Sequence, residues 1–289
     1  MSQKTSITAK TKVLCVIGHP IEHSMSPTMH NAAIQDLDLD YIYIAYDIRP
    51  NNLEKAVQGF RALNITGINV TIPHKENIMK YLDEIDPVAQ QIGAINTIKN
   101  ENERLKARNT DATGGKQALK NAGCKMQGKN VLFLGSGGVS RALSYVLAEE
   151  VNKIVLTDVI EEKAVVLAKE IESSTGANIE GFASKDQVLK ERIIDIDILI
   201  NATPIGMYPK IFDTPISKDI LHGDLFVFDV VYNPLETQLM KDAAKIGCKT
   251  LGGLDMLVNQ GAIAFEWWTG KRPNSTLMKT KIIEFLGIK

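Results

Sequence analysis

Lys75 follows the segment Asn69-Val70-Thr71-Ile72-Pro73, which leaves a predicted strand and enters a predicted helix near His74. A lysine at a helix N-terminus feels the positive end of the peptide dipole, which favours its neutral form. A lysine tuned in this way can give and take a proton near neutral pH. Its default is a solvated surface group. Asp111 stands in Asn109-Thr110-Asp111, ahead of the helical stretch 112–123. It reads as an N-cap, with Gly123 just past the helix end. A carboxylate beside Lys75 would complete an acid/base pair, but sequence spacing alone does not bring the two together.

Ser24 and Ser26 lie in His23-Ser24-Met25-Ser26-Pro27. Ser26 reads as an N-cap with Pro27 at the first helical position. The same geometry offers a second use. Two hydroxyls at a helix N-terminus can bind a carboxylate without an arginine.

Gly135-Ser136-Gly137-Gly138-Val139-Ser140 follows the apolar run 129–134 directly and opens a helical stretch. Gly135 permits a tight turn, and Gly137 lets the backbone approach a pyrophosphate at the helix N-terminus. A glycine-rich turn alone is weak evidence. Here the next predicted strand, 153–158, ends on Asp158, at the spacing of about 20 residues where a dinucleotide fold places a ribose-binding acid. A carboxylate there would repel a 2′-phosphate, and no arginine follows closely. NAD is therefore favoured over NADP, which stays open.

Other polar residues read as structural. His19 and His23 are four apart but flank Pro20, and with His30 they form no metal spacing, so they read as hydrogen-bonding or surface histidines and no metal is expected. Trp267-Trp268 reads as core or interface, and Gln260, in the same helix, as an exposed position.

These residues need elements to hold them. Short β-branched runs alternate with helix-period segments along all 289 residues. Strands are predicted at 12–18, 41–47, 67–72, 93–98 and 103–109, with the asparagine-rich 99–102 as a hairpin turn, and helices after Ser26, after Asn51 and near His74. From about residue 129 the alternation becomes that of βαβ units around a parallel sheet. Apolar residues at 254, 257, 258, 261, 265 and 268 share one helical face, and a last helix is predicted at 275–286. The fold class is therefore α/β.

Composition narrows the function classes. Hydrophobic residues make up 44% and charged residues 23%, which excludes a disordered or collagen-like chain. The net charge of −1 argues against nucleic acid or an anionic membrane as partner. Three scattered cysteines suit a reducing cytoplasm. No run is long enough to span a membrane, and the short apolar run after the polar first ten residues is too short for a signal peptide.

Taken together, the segments at 16–27, 69–75, 93–97, 109–114, 135–142, 201–207, 229–237 and 253–270 resemble the shikimate dehydrogenase family, in order and over almost the whole chain. The resemblance implies two domains. A substrate domain, 1–110 plus 254–289, is interrupted by a Rossmann-like doubly wound dinucleotide domain, 111–253. It implies reversible NAD(P)-dependent reduction of 3-dehydroshikimate to shikimate, a step toward aromatic amino acids, by a cytoplasmic monomer or homodimer.

By the same resemblance, Lys75 and Asp111 are the catalytic pair, and Ser24 and Ser26 bind the substrate carboxylate. Thr71, Asn96, Asp111 and Gln260 bind the ring hydroxyls, and Tyr232 lies near the substrate. Gly135, Ser136, Gly137, Gly138, Val139 and Asp158 would hold the dinucleotide. Asn201, Thr203, Pro204, Gly206, Met207, Val230 and Gly253 would join them. Two departures stand out. The Asn-Arg-Thr type NADP motif of many relatives is missing at Thr157-Asp158, which again favours NAD. Ala107-Arg108 replaces a common glycine-aromatic pair. Rival readings are a quinate/shikimate dehydrogenase, disfavoured by serine at 26, and a methylenetetrahydrofolate dehydrogenase, disfavoured by the two-serine loop. A third, a non-catalytic NAD-binding regulator, is disfavoured by retention of Lys75 and Asp111.

Overall fold

The computed structural model describes residues 7–287. The chain divides into two compact units. One holds the described residues up to Thr110 and those from Val258 onward, and the other is Asp111–Leu257.

In the first unit β1 (Lys12–Gly18), β2 (Tyr41–Asp47), β3 (Gly67–Val70), β4 (Glu84–Ile85), β5 (Thr97–Glu101) and β6 (Arg104–Arg108) form one mixed sheet. Its order is β2-β1-β3-β5-β6-β4. β1 runs parallel to β2 and β3, so the carboxyl ends of β1 and β3 open on the same edge. β3, β5 and β6 are antiparallel neighbours. Helices α1 (Ser26–Asp36), α2 (Leu53–Ala62) and α3 (Pro87–Ile92) lie in the connections. Cys15, Ile17, Ile68, Val70 and Ile98 pack one sheet face against Val57 and Phe60 of α2.

In the second unit β7 (Asn130–Leu134), β8 (Lys153–Asp158), β9 (Ile179–Ala183), β10 (Ile198–Asn201), β11 (Phe226–Asp229) and β12 (Lys249–Gly252) are all parallel. Their order is β12-β11-β10-β7-β8-β9. Counted from the unit's first strand this is the doubly wound order, with the direction reversing between β7 and β10. Its helices are α4 (Thr110–Asn121), α5 (Gly138–Leu147), α6 (Glu161–Thr175), α7 (Asp186–Arg192) and α8 (Gln238–Lys245). Val131 and Phe133 enter one apolar cluster, while Leu132 and Leu134 enter another. Both sheet faces are covered, which is why these strands read as unbroken apolar runs.

The chain closes with α9 (Leu254–Thr269) and α10 (Ser275–Phe285). Trp268 of α9 donates its indole N–H to the carbonyl of Ile98 at 2.8 Å. A Cβ at Gly67 would sit 2.6 Å from the Trp268 ring, so glycine there is what lets helix and strand meet.

Several expectations shift. The helix predicted near His74 is only a 3-10 segment, Asn77–Tyr81, and the α-helix comes later, with the Asp86 carboxylate accepting the N–H of Val88 at 3.0 Å. The strand predicted at 93–98 starts at Thr97, because Gly93 turns left-handed (φ 71°) to end α3. The hairpin turn falls on Asn102-Glu103, both with positive φ, as a two-residue hairpin requires. Among the described residues no helix is long and apolar enough to cross a membrane.

Candidate active site

The first unit gathers polar side chains at the carboxyl ends of β1 and β3. After Gly18 the chain loops through Ser24 into α1. Ser26 does not cap this helix. Met25 holds the cap position without a side-chain bond, and Ser26 is the first helical residue, followed by Pro27. The N–H of Ser26 donates to Ser24 Oγ at 3.3 Å. The Ser26 hydroxyl instead lies toward the phenol of Tyr43, whose ionised form it favours. Tyr43 in turn donates to Asn69 Oδ1 at 2.6 Å. Its complete burial pushes the phenol well above its ordinary range.

From Asn69 the bonds continue. Asn69 Nδ2 donates to Thr97 Oγ1 at 3.2 Å, and Thr97 and Thr110 share a hydroxyl bond of 3.0 Å. Asn96 Oδ1 accepts the N–H of Thr110 at 2.7 Å, and Asn96 Nδ2 donates to Thr110 Oγ1 at 3.0 Å. Asn96 Nδ2 and the Thr110 hydroxyl both reach Gln260 Oε1, at 3.4 and 3.5 Å. The structure thus joins Tyr43, Asn96 and Gln260 through Asn69, Thr97 and Thr110, with Ser26 toward the Tyr43 end. Gln260, read from sequence as exposed, is buried, because from α9 it reaches Asn96, just before β5, and Thr110, which opens α4. Tyr43, Asn69, Thr97 and Thr110 were not singled out as site residues. Asn69 carried a signal, since it is the one polar residue in the fully buried strand Gly67–Val70.

Thr71 follows β3 and lies against Gly18, where a Cβ would come within 2.6 Å of its methyl. Lys75 is half-buried in the next turn. Its neighbour His74 is buried, with Nε2 2.6 Å from the carbonyl of Ile48 and its backbone N–H on Thr71. The carbonyl of Lys75 accepts the N–H of Ile95 at 3.0 Å. The main chain at 74–75 is therefore tied to the Thr71 turn and to the segment carrying Asn96. No α-helix begins there, so the dipole argument for Lys75 loses its footing. Asp111 belongs to the second unit and is buried in the first turn of α4, one residue inside the helix rather than at its cap.

In the second unit the glycine-rich turn follows β7 beside the switch point. Gly135 has φ 93°, and its N–H donates to the Thr157 carbonyl. Gly137 precedes α5, with open space where a side chain would be. Gly138 begins the helix, and Val139 packs on the apolar cluster. Free helix N–H groups and an empty approach suit the pyrophosphate of a dinucleotide. Asp158 ends β8. Its Oδ2 accepts the N–H of Ser136 and its Oδ1 the N–H of Ile160, both at 3.0 Å.

The loop after β10 is built around Asn201. Its Oδ1 accepts the N–H and hydroxyl of Thr203, and its Nδ2 donates to Asp229 at 3.0 Å. Thr203 reaches back toward Gly135, where a Cβ would meet its methyl at 2.8 Å. Met207 N–H closes a turn on Pro204, and Gly206 has φ 90°. Asp229, unforeseen, is fully buried and accepts from Asn201, Val231 N–H and the Thr237 hydroxyl. Burial raises its carboxyl despite these bonds. A Cβ at Gly253 would lie 2.0 Å from the Val230 carbonyl, so these two segments touch backbone to backbone. Burial also raises the phenol of half-buried Tyr232.

His30 departs from its reading as a surface or hydrogen-bonding residue. It is fully buried and stacked on Tyr43 at 4.3 Å, and neither ring nitrogen has a hydrogen-bond partner. Desolvation lowers its pKa to about 3. His19 is exposed and bonded to Asp47 at 2.8 Å. Among the described residues no group of three or more metal-ligating His, Cys, Asp or Glu occurs.

Comparison with known proteins adds the rest. The family described as shikimate dehydrogenase substrate binding domain matches residues 16–98, and that described as shikimate 5'-dehydrogenase C-terminal domain matches 253–282. The chain is 50% identical to the shikimate dehydrogenase (NADP(+)) of Methanocaldococcus jannaschii, over 96% of this chain and 98% of that one. A crystal structure of a shikimate dehydrogenase in complex with NADP+ superposes with TM-score 0.90 at 46% identity, covering 97% of this chain and 98% of the other. The shikimate 5-dehydrogenase of Listeria monocytogenes, in complex with shikimate and NAD, superposes with TM-score 0.88 at 39% identity, covering 96% and 98%. The preference for NAD read from Asp158 is not supported by the Methanocaldococcus jannaschii relative, named for NADP(+), nor by the crystal structure in complex with NADP+. The structure supplies a reason, since both Asp158 oxygens are bonded to backbone N–H groups of the loop and strand end. On identity, coverage and fold, the chain belongs to the shikimate dehydrogenase family.

Proposed function

We propose that the chain catalyses the reversible NADP-dependent reduction of 3-dehydroshikimate to shikimate. The observation that carries this reading is the continuous hydrogen-bonded series from Tyr43 through Asn69 and Thr110 to Gln260, at the strand ends that also bear Thr71 and Lys75. It offers donors and acceptors in the number a small polyhydroxylated acid needs, on rigid elements.

Ser24 and Ser26, at the N-terminus of α1, take the carboxylate, where helix N–H groups and the dipole favour an anion. Thr71, Asn96 and Gln260 take the ring hydroxyls. Lys75 moves the proton at the carbinol oxygen, and Asp111 orients it. The dinucleotide, when bound, supplies or accepts the hydride. Gly135 to Val139 hold its pyrophosphate, while the Asn201–Met207 segment, Val230, Tyr232 and Gly253 shape the nicotinamide end. The three cysteines are free and buried, which suits a reducing cytoplasm.

The test is nicotinamide absorbance with shikimate or quinate, crossed with NADP+ and NAD+. Reduction of NADP+ by shikimate is expected. No reduction of either cofactor by shikimate overturns the reading. Reduction of NAD+ alone overturns its cofactor half, and faster turnover of quinate its substrate half.

A further inference from the structure

The proposed reaction gives Arg108 no part. Its guanidinium carbon lies 3.8 Å from the centre of the Trp267 ring. Its Nε is buried without a hydrogen-bond partner, and burial lowers its pKa while Asp86 opposes the shift. A half-buried guanidinium laid on an indole face is held by stacking and by cation–π attraction.

The position of this contact matters. Arg108 is two residues before Thr110, and Trp267 is seven residues after Gln260. Seven residues are close to two turns, so Gln260 and Trp267 share a face of α9. The Arg108–Trp267 stack and the Thr110–Gln260 contact therefore join the same two chain segments, one beside the other. The second is stretched for a hydrogen bond, with Gln260 Oε1 at 3.4 Å from Asn96 Nδ2 and 3.5 Å from Thr110 Oγ1.

We propose that Arg108 is a positioning residue. Stacked on Trp267, it sets the placement of Gln260 against Asn96 and Thr110 and so tunes affinity for the ring hydroxyls of the substrate. This inference rests on the shikimate reading. Planar stacking on the indole carries the effect, so a flat aromatic side chain can stand in for the guanidinium where a lysine, with charge alone, cannot.

The experiment compares Arg108→Ala, Arg108→Phe and Arg108→Lys with the full-length enzyme, measuring KM for shikimate, KM for NADP+, kcat and thermal midpoint. Arg108→Ala is expected to raise KM for shikimate about 3- to 10-fold, the scale of losing one modest contact. KM for NADP+ should stay within about 2-fold. Arg108→Phe should restore KM for shikimate and Arg108→Lys should not. Trp267→Leu should match Arg108→Ala, and the double variant should be no worse than either. A lowered thermal midpoint with unchanged KM assigns a merely structural role and overturns the inference. So does rescue by lysine without rescue by phenylalanine. A wild-type enzyme inactive with shikimate would fell the underlying reading itself, a result distinguishable from active wild type with an unaffected Arg108→Ala.

Discussion

Asp158 Oδ2 accepts the backbone N–H of Ser136 at 3.0 Å, so the last residue of β8 fastens the middle of the glycine-rich turn after β7. Its other oxygen accepts from Ile160. A charged acceptor on a backbone donor is worth roughly 1.5–3 kcal/mol. Asp158→Ala should loosen the turn and raise KM about 10-fold for NADP+ and for NAD+ alike. Parallel KM determinations check this. A change confined to one cofactor would assign Asp158 to the ribose and not to the loop.

Lys75 carries the proton in the proposed reaction. Lys75→Ala should lower kcat by about 10²- to 10⁴-fold, the usual range for a lost general acid or base. KM for shikimate should move by no more than about 3-fold. Lys75→Arg should fail to rescue, because a guanidinium does not give up its proton. Steady-state kinetics decide, and a variant that mainly raised KM would make Lys75 a binding residue.

Asn96 is the hub of the buried series. Asn96→Ala strips the acceptor from the Thr110 N–H and a donor from Gln260. Leaving such groups dry costs about 2–4 kcal/mol. Urea unfolding should show that loss. Asn96→Asp, which keeps an oxygen for Thr110, should lose less stability but still bind shikimate poorly.

His30 makes stability depend on pH. Its folded pKa, about 3, lies below the ordinary value of 6.5. Between those values the unfolded chain holds a proton that the folded chain refuses. Stability is therefore full above pH 6.5 and falls as pH drops toward 3, by up to about 1.4 kcal/mol per unit. His30→Phe should remove this contribution. Urea midpoints at pH 7, 5.5 and 4.5 should fall more steeply for the wild type. Parallel lines would show that the ring does take a proton in the fold.

Much of the frame was legible because periodicity reports burial. β1, β2 and β8 have the bounds read from their β-branched runs, and the parallel sheet followed from unbroken apolar strands. Short elements escaped. β4 has two residues and β12 opens with exposed Lys249, so neither carries an apolar run. Ser26 was misread because cap preference is local, while the helix starts one residue earlier than it suggests, with Met25 at the cap position. Gln260 was misread because helical position alone does not tell that Asn96 and Thr110 wait across from it. His30 violates the rule that buried polar groups find partners, and no pattern in the chain announces that.

Trp268 bonds Ile98 and fills the space over Gly67, and its ring lies 5.7 Å from that of His30. On the ribosome this pairing is separated in time. Every strand of the first sheet is made before residue 109, yet the helix bearing Trp268 is made only after residue 253. At about 5–20 residues per second, the wait is on the order of ten seconds. Throughout it the nascent sheet shows an uncovered apolar face, while the unit encoded between can already close around its own strands. A premature stop just before residue 254 thus injures the part made first.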